Sequence, residues 1–203
     1  ATAAAAIAFG CLYFFVRQYF KDGIWQFDLT LVNKALGVAS LLLIALSMYL
    51  TGRSRFSRRP GDSLALRKPY GLAGFWIGLA HGAVDHFLLP ALGLSPEKRP
   101  EGLPAEATGW IALALFAVMA LASNDRVRKL LGAGTWRRLL RYAGYAGLVL
   151  AAAHATLLKS ASWSRYFRTF ESVLPSLSLF AGAFAVATAL LRLAVWRARS
   201  RKT

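Results

Sequence analysis

The sequence predicts an all-α, polytopic membrane bundle of six transmembrane helices, and three observations predict it. Hydrophobic residues fill 57% of the 203 positions. They come in blocks of about 20 residues, the length a helix needs to cross the bilayer core. Lys and Arg gather in the short connections between blocks rather than on a soluble face. The net charge of +16 therefore reads as a topology signal and not as a nucleic-acid footprint.

Taken in order, the apolar runs place spans at approximately 3–20, 35–51, 70–94, 107–123, 139–158 and 172–196, as a single domain over 1–203. The chain opens on ATAAAAIAFG without a starting Met. Its first span is expected to serve for insertion, with no cleaved signal peptide required. The connection from Arg53 to Lys68 carries Arg53, Arg55, Arg58, Arg59, Arg67 and Lys68 against Asp62. The connection from Asn124 to Arg138 carries Arg126, Arg128, Lys129, Arg137 and Arg138 against Asp125, and the tail WRARSRKT is basic too. The positive-inside rule puts these three boundaries, and hence both termini, on the cytoplasmic side. KDGIWQFDLTLVNK and SPEKRPEGLPAE are balanced or acidic, as outer connections should be, and KSASWSRYFRTFE is a net-positive exception. Trp25, Tyr70, Trp110, Trp136, Trp163, Tyr166 and Trp196 fall near span ends, where amphipathic rings favour the interface. Pro60-Gly61 and the series Pro96, Pro100 and Pro104 mark turns.

The third span, within RKPYGLAGFWIGLAHGAVDHFLLPALGL, holds His81, Asp85 and His86 in apolar surroundings, and ionisable groups at membrane depth are rarely idle. At 100° per residue, Gly74, Gly78, His81, Gly82 and Asp85 share one face, with His86 about 140° round from His81. The glycines clear a strip beside His81, suited either to a flat, bulky group or to the small-residue packing of a neighbouring helix. The fifth span repeats the pattern, since Ala143, Gly144, Gly147, Ala151 and His154 form one stripe. Two imidazoles approaching from opposite sides make a six-coordinate haem iron, whose chemistry is one-electron transfer rather than oxygen binding. Depth pairs His154 slightly better with His86 than with His81, a difference that helix tilt erases, so both pairings stay open. Cys11 is the only cysteine, which excludes an internal disulfide, a Cys-based zinc site and covalent haem attachment. No connection has room for a flavin or nicotinamide module with its glycine fingerprint. Any electron must therefore come from, and go to, another molecule.

RKPYGLAGFWIGLAH, together with SNDRVRKLLGAGTWRRLLRYAGYAGLVLAAAH, resembles the ferric-reductase-like transmembrane domain family. The nearer likeness is to the haem-binding membrane subunits that serve bacterial periplasmic methionine sulfoxide reductases. The likeness covers roughly residues 64 to 158, and the six-span layout extends it to most of the chain. It implies a b-type cytochrome in the bacterial inner membrane, with one haem b between spans three and five. His81 and His154 match the family's metal ligands, and in the broader family His86 is an alternative partner. Quinone is a possible second cofactor, and a redox partner protein or larger membrane complex a further partner, beside membrane lipid. Leu140 stands where the family commonly has another histidine, so a second, cytoplasmic-side haem is not expected.

Set beside the cytochrome is a second expectation of another class, a non-catalytic helical subunit that keeps the scaffold inside a larger membrane complex. A transporter has little support, because no inverted repeat of broken spans is visible. Asp85 is expected to orient a ligand or hold a proton, with pairing to an Arg as the alternative.

Overall fold

A computed structural model describes residues 2–23, 25–54, 64–94, 102–170 and 173–200. The described residues are almost entirely helical, in six helices: α1 (Thr2–Asp22), α2 (Leu29–Arg53), α3 (Arg67–Ala91), α4 (Gly102–Ala122), α5 (Asp125–Thr169) and α6 (Leu177–Ser200). The turns expected at Pro60-Gly61, Pro96 and Pro100, and most of the basic connection after Arg53, lie outside the described residues. Five helices, all but α5, are long and apolar enough to cross a membrane.

Helix α2 is central. Asp28 caps it by accepting a 2.7 Å bond from the Leu31 amide, satisfying a donor the first turn otherwise leaves open. From there α2 is buried on most sides, contributing Val38, Leu41, Ile44, Ala45 and Met48 to the core. Phe75 of α3, Ala112 and Phe116 of α4, Leu148 and Ala152 of α5, and Ala181 and Ala185 of α6 pack around it. The outer faces carry large apolar side chains such as Leu12, Trp76, Leu121, Val149 and Leu190. An apolar exterior on this scale belongs in lipid, so the chain is a helical membrane protein.

Three local features depart from the expected layout. In α3 the turn Val84–Leu88 is a π-turn. Pro90 follows it, with no N–H to give and a ring that crowds the carbonyl of His86, and a widened turn relieves both conflicts. Gly93 then ends the helix with a positive φ of 67°. The expected connection 124–138 is instead the start of α5. Asn124 accepts from the Arg126 amide at 2.9 Å, Gly132 breaks the helix with φ 69° and ψ 152°, and Trp136 Nε1 donates to the Ala122 carbonyl at 2.7 Å. The short basic stretch before the break carries the exposed Leu130, a composition suited to the membrane surface. The expected outer connection 159–171 is also helical as far as Thr169, because it contains neither Gly nor Pro to stop it. At that end, Tyr13 donates to the Pro175 carbonyl at 2.8 Å and Arg17 Nε to that of Leu174 at 3.0 Å, tying α1 to the start of α6.

Candidate cofactor site

His81 and His154 each lodge against the helix that precedes them in the chain. His81 Nδ1 lies 2.8 Å from the side-chain oxygen of Asn33 and 3.1 Å from its backbone carbonyl oxygen. Asn33 Nδ2 donates to Asp85 Oδ1 at 3.1 Å, which turns the amide oxygen toward the imidazole. Every partner of Nδ1 is then an acceptor, so Nδ1 carries the proton. His154 Nδ1 lies 2.7 Å from the Ala105 carbonyl oxygen, and the same reasoning protonates it. When neutral, each ring therefore leaves Nε2 as its free lone pair, and neither Nε2 has a hydrogen-bond partner among the described residues. Histidines that bind metal are held in this way, donating the other ring nitrogen to a carbonyl or amide.

The two settings are built alike. A side-chain carbon placed on Gly37, four residues after Asn33, would lie 3.1 Å from His81 Cε1 and Nε2. One placed on Gly109, four residues after Ala105, would lie 2.7 Å from His154 Nδ1. Each ring thus rests on bare backbone one turn beyond the carbonyl that holds it. The match continues down both hairpins. Gly74, seven residues before His81, abuts Ile44, and Gly147, seven before His154, abuts Phe116. Gly71 and Gly144, ten residues before their histidines, meet Ser47 and Met119. Ile44 and Phe116 each stand seven residues after the supporting glycine, and Ser47 and Met119 ten after it. The hairpins α2–α3 and α4–α5 are therefore a structural repeat, running in the same order and sense. Asn33, Gly37, Ala105 and Gly109 were not singled out from sequence. The shared spacing of Gly71, Gly74 and Gly78 before His81, and of Gly144, Gly147 and Ala151 before His154, is the signal that points to them.

The glycine faces have occupants. Gly74 and Gly78 admit Ile44 and Ser40 of α2, and Ser40 donates to the Gly74 carbonyl at 2.8 Å. Gly147 admits the Phe116 ring, while Gly82 faces Trp110 and Leu113 at ordinary contact distance. These contacts match small-residue helix packing, the alternative to a cleared cofactor face. Helices α3 and α5 pack mainly on their own hairpin partners. Asp85, Lys159 and His81 form one electrostatic neighbourhood, with Lys34 and Arg17 beside Lys159. His86, on the π-turn, is exposed and meets the rings of Phe87 and Trp110 edge-on at 4.9 and 5.6 Å. It is not joined to the Asn33–His81 arrangement by any hydrogen bond among the described residues.

Among the described residues no three His, Cys, Asp or Glu side chains converge as around a structural zinc or calcium ion. What the site offers is a pair of imidazoles on separate helices, each held through Nδ1, a donor type that suits a haem iron. Fold and site together define a helical membrane protein with a repeated histidine-bearing hairpin. No protein-family model matches the chain, and no curated protein is significantly similar to it.

Proposed function

We propose that this chain is a membrane b-type cytochrome that passes single electrons to an acceptor or partner protein on the outer side of a bacterial cytoplasmic membrane. In this reading the chain spans six times with both termini inside, α5 supplying the sixth span. The observation that carries the reading is the pair of imidazoles in matched hairpins, each held through Nδ1 with Nε2 left for a metal. His81 and His154 would hold the haem, and a haem b held there would supply one-electron transfer. The chain's own residues do the holding. Asn33 and the Ala105 carbonyl keep the rings from swinging and fix the tautomer. Asp85 reaches His81 through Asn33 and puts a carboxyl group behind that ring, whereas His154 is backed by a backbone carbonyl. The apolar bundle around the pair keeps water away. Electrons enter from quinol or a cytoplasmic reductase, since the chain holds no dinucleotide module of its own.

The visible spectrum of the purified chain tests this. A Soret band and a reduced α-band are expected, with a pyridine haemochrome assay returning one haem b, and alanine at 81 and 154 together should abolish them. A double variant with an unchanged spectrum would overturn the assignment. The packed contacts at Gly74, Gly78 and Gly147 favour a second reading, a non-catalytic scaffold subunit of a larger membrane complex. Such a subunit is colourless when isolated intact and co-purifies with its partners at fixed stoichiometry.

A further inference from the structure

The opposite end of the bundle, where α2 ends and α3 begins, carries a second polar cluster that the electron-transfer reading does not use. The buried stripe of α6 runs Ala181, Ala185, Thr188, Val195, and Arg192 falls on it one turn after Thr188. A guanidinium on the inward stripe of a membrane helix is costly unless something receives it. The Nε of Arg192 and the hydroxyl of Thr188 are buried and have no hydrogen-bond partner. They are the only such side-chain atoms among the described residues. The Arg192 guanidinium lies 5.1 Å from the centre of the Tyr145 ring on α5. Arg67 of α3 and Arg141 of α5 are within its electrostatic reach. The ion pairs among the described residues are Lys21–Asp22 and Arg128–Asp125, so no acid among them neutralises this group. Arg192 donates to the Tyr145 hydroxyl oxygen, and its remaining guanidinium N–H groups, with the Tyr and Thr hydroxyl protons, are donors still to be used. A ligand for the cluster must therefore bring acceptor oxygens and negative charge, which is the chemistry of a phosphate group.

We propose that Arg67, Arg141, Arg192, Tyr145 and Thr188 form a binding site for a phosphate-bearing anion, whose sources are an anionic phospholipid headgroup or free phosphate. The site stands on three helices, is independent of haem, and reaches from the end of α2, where Gly52 meets Arg192, one turn inward to Thr188. Binding an oxyanion there satisfies the two orphaned atoms and offsets the like charges of Arg67, Arg141 and Arg192.

The test uses the full chain in neutral detergent after lipid removal, with thermal unfolding as the readout. Phosphatidylglycerol in mixed micelles should raise the midpoint by about 2–4 °C at several-fold excess over its dissociation constant, and phosphatidylcholine should not. Inorganic phosphate giving the same rise identifies free phosphate as a sufficient ligand, and a rise with phosphatidylglycerol alone identifies the lipid. Arg192→Gln and Thr188→Val should each abolish the shift, while Arg128→Gln, at the exposed start of α5, should keep it. No rise with either probe, or a rise that survives Arg192→Gln, overturns the proposal. If Arg192→Gln fails to fold, Thr188→Val decides in its place. Native mass spectrometry of the unaltered chain should then find retained phosphatidylglycerol or phosphate, and finding neither overturns the proposal as well.

Discussion

The hairpins α2–α3 and α4–α5 solve one packing problem with different chemistry. Both set an imidazole on a bare glycine one turn past an oxygen that accepts from Nδ1. In the first hairpin the acceptor is a side chain, Asn33, itself held by Asp85. In the second it is a backbone carbonyl alone. The clearance differs as well, being 3.1 Å at Gly37 and 2.7 Å at Gly109. Position can thus be repeated while the supporting chemistry is not, and an otherwise matched pair of rings acquires one side that ends on a carboxyl group.

The largest expected effect concerns what the hairpins share. His81→Ala and His154→Ala should each remove the haem absorbance of the purified chain, and an effect from only one of them would break the symmetry. Next comes the clearance. Gly109→Ala should cost about 1–3 kcal/mol through the displaced ring, and Gly37→Ala less, as read by thermal unfolding in detergent; the opposite order would remove the steric comparison. Asn33→Leu should cost about 1–2 kcal/mol in lost hydrogen bonds while His81 keeps its tautomer through the remaining backbone acceptor. If the chain is the proposed cytochrome, Asp85→Asn should leave stability nearly unchanged and move the haem midpoint potential upward through the removal of an ionisable carboxyl behind His81. A potential that stays fixed would mean that the Asn33 link carries no charge effect. The smallest effect is at the start of the first hairpin, where Asp28→Ala should cost about 1 kcal/mol through the lost cap. Burial alone would raise the Asp28 pKa, but bonds from Thr30 and the Leu31 amide outweigh it and hold the carboxyl below its ordinary value. Its contribution is therefore present at neutral pH and lost as the pH falls through the lowered folded-state value. The variant should show a flatter acid limb in an unfolding titration.

His81 and His154 were legible because an ionisable group in an apolar run stands out at once. Their supports were not. The Ala105 carbonyl has no sequence signature, and Asn33 and Gly37 look like ordinary members of a helix until the partner ring is seen upon them. The small-residue faces at Gly74, Gly78 and Gly147 were legible as faces, but periodicity alone does not say whether a neighbour or a ligand fills them. Apolar runs located α1 to α4 and α6, with starts displaced by as much as six residues at α2 and five at α4 and α6. They missed the ends of α5, because 125–138 and 159–169 are polar helix, and hydropathy reads polar stretches as connections. The π-turn was missed for a related reason, since Pro90 announces a disturbance without saying which turn absorbs it.

After its break at Gly132, α5 runs unbroken to Thr169, about 55 Å of rod against a hydrocarbon layer of about 30 Å. Tilt shortens the projection but cannot hide the excess, so in the six-span reading the last turns stand above the outer surface and carry Arg165 and Arg168 with them. Orientation rules weigh charges in short links beside the bilayer. Cations mounted on a stiff pillar escape that tally, so the six-span reading accommodates an outer segment with surplus positive charge.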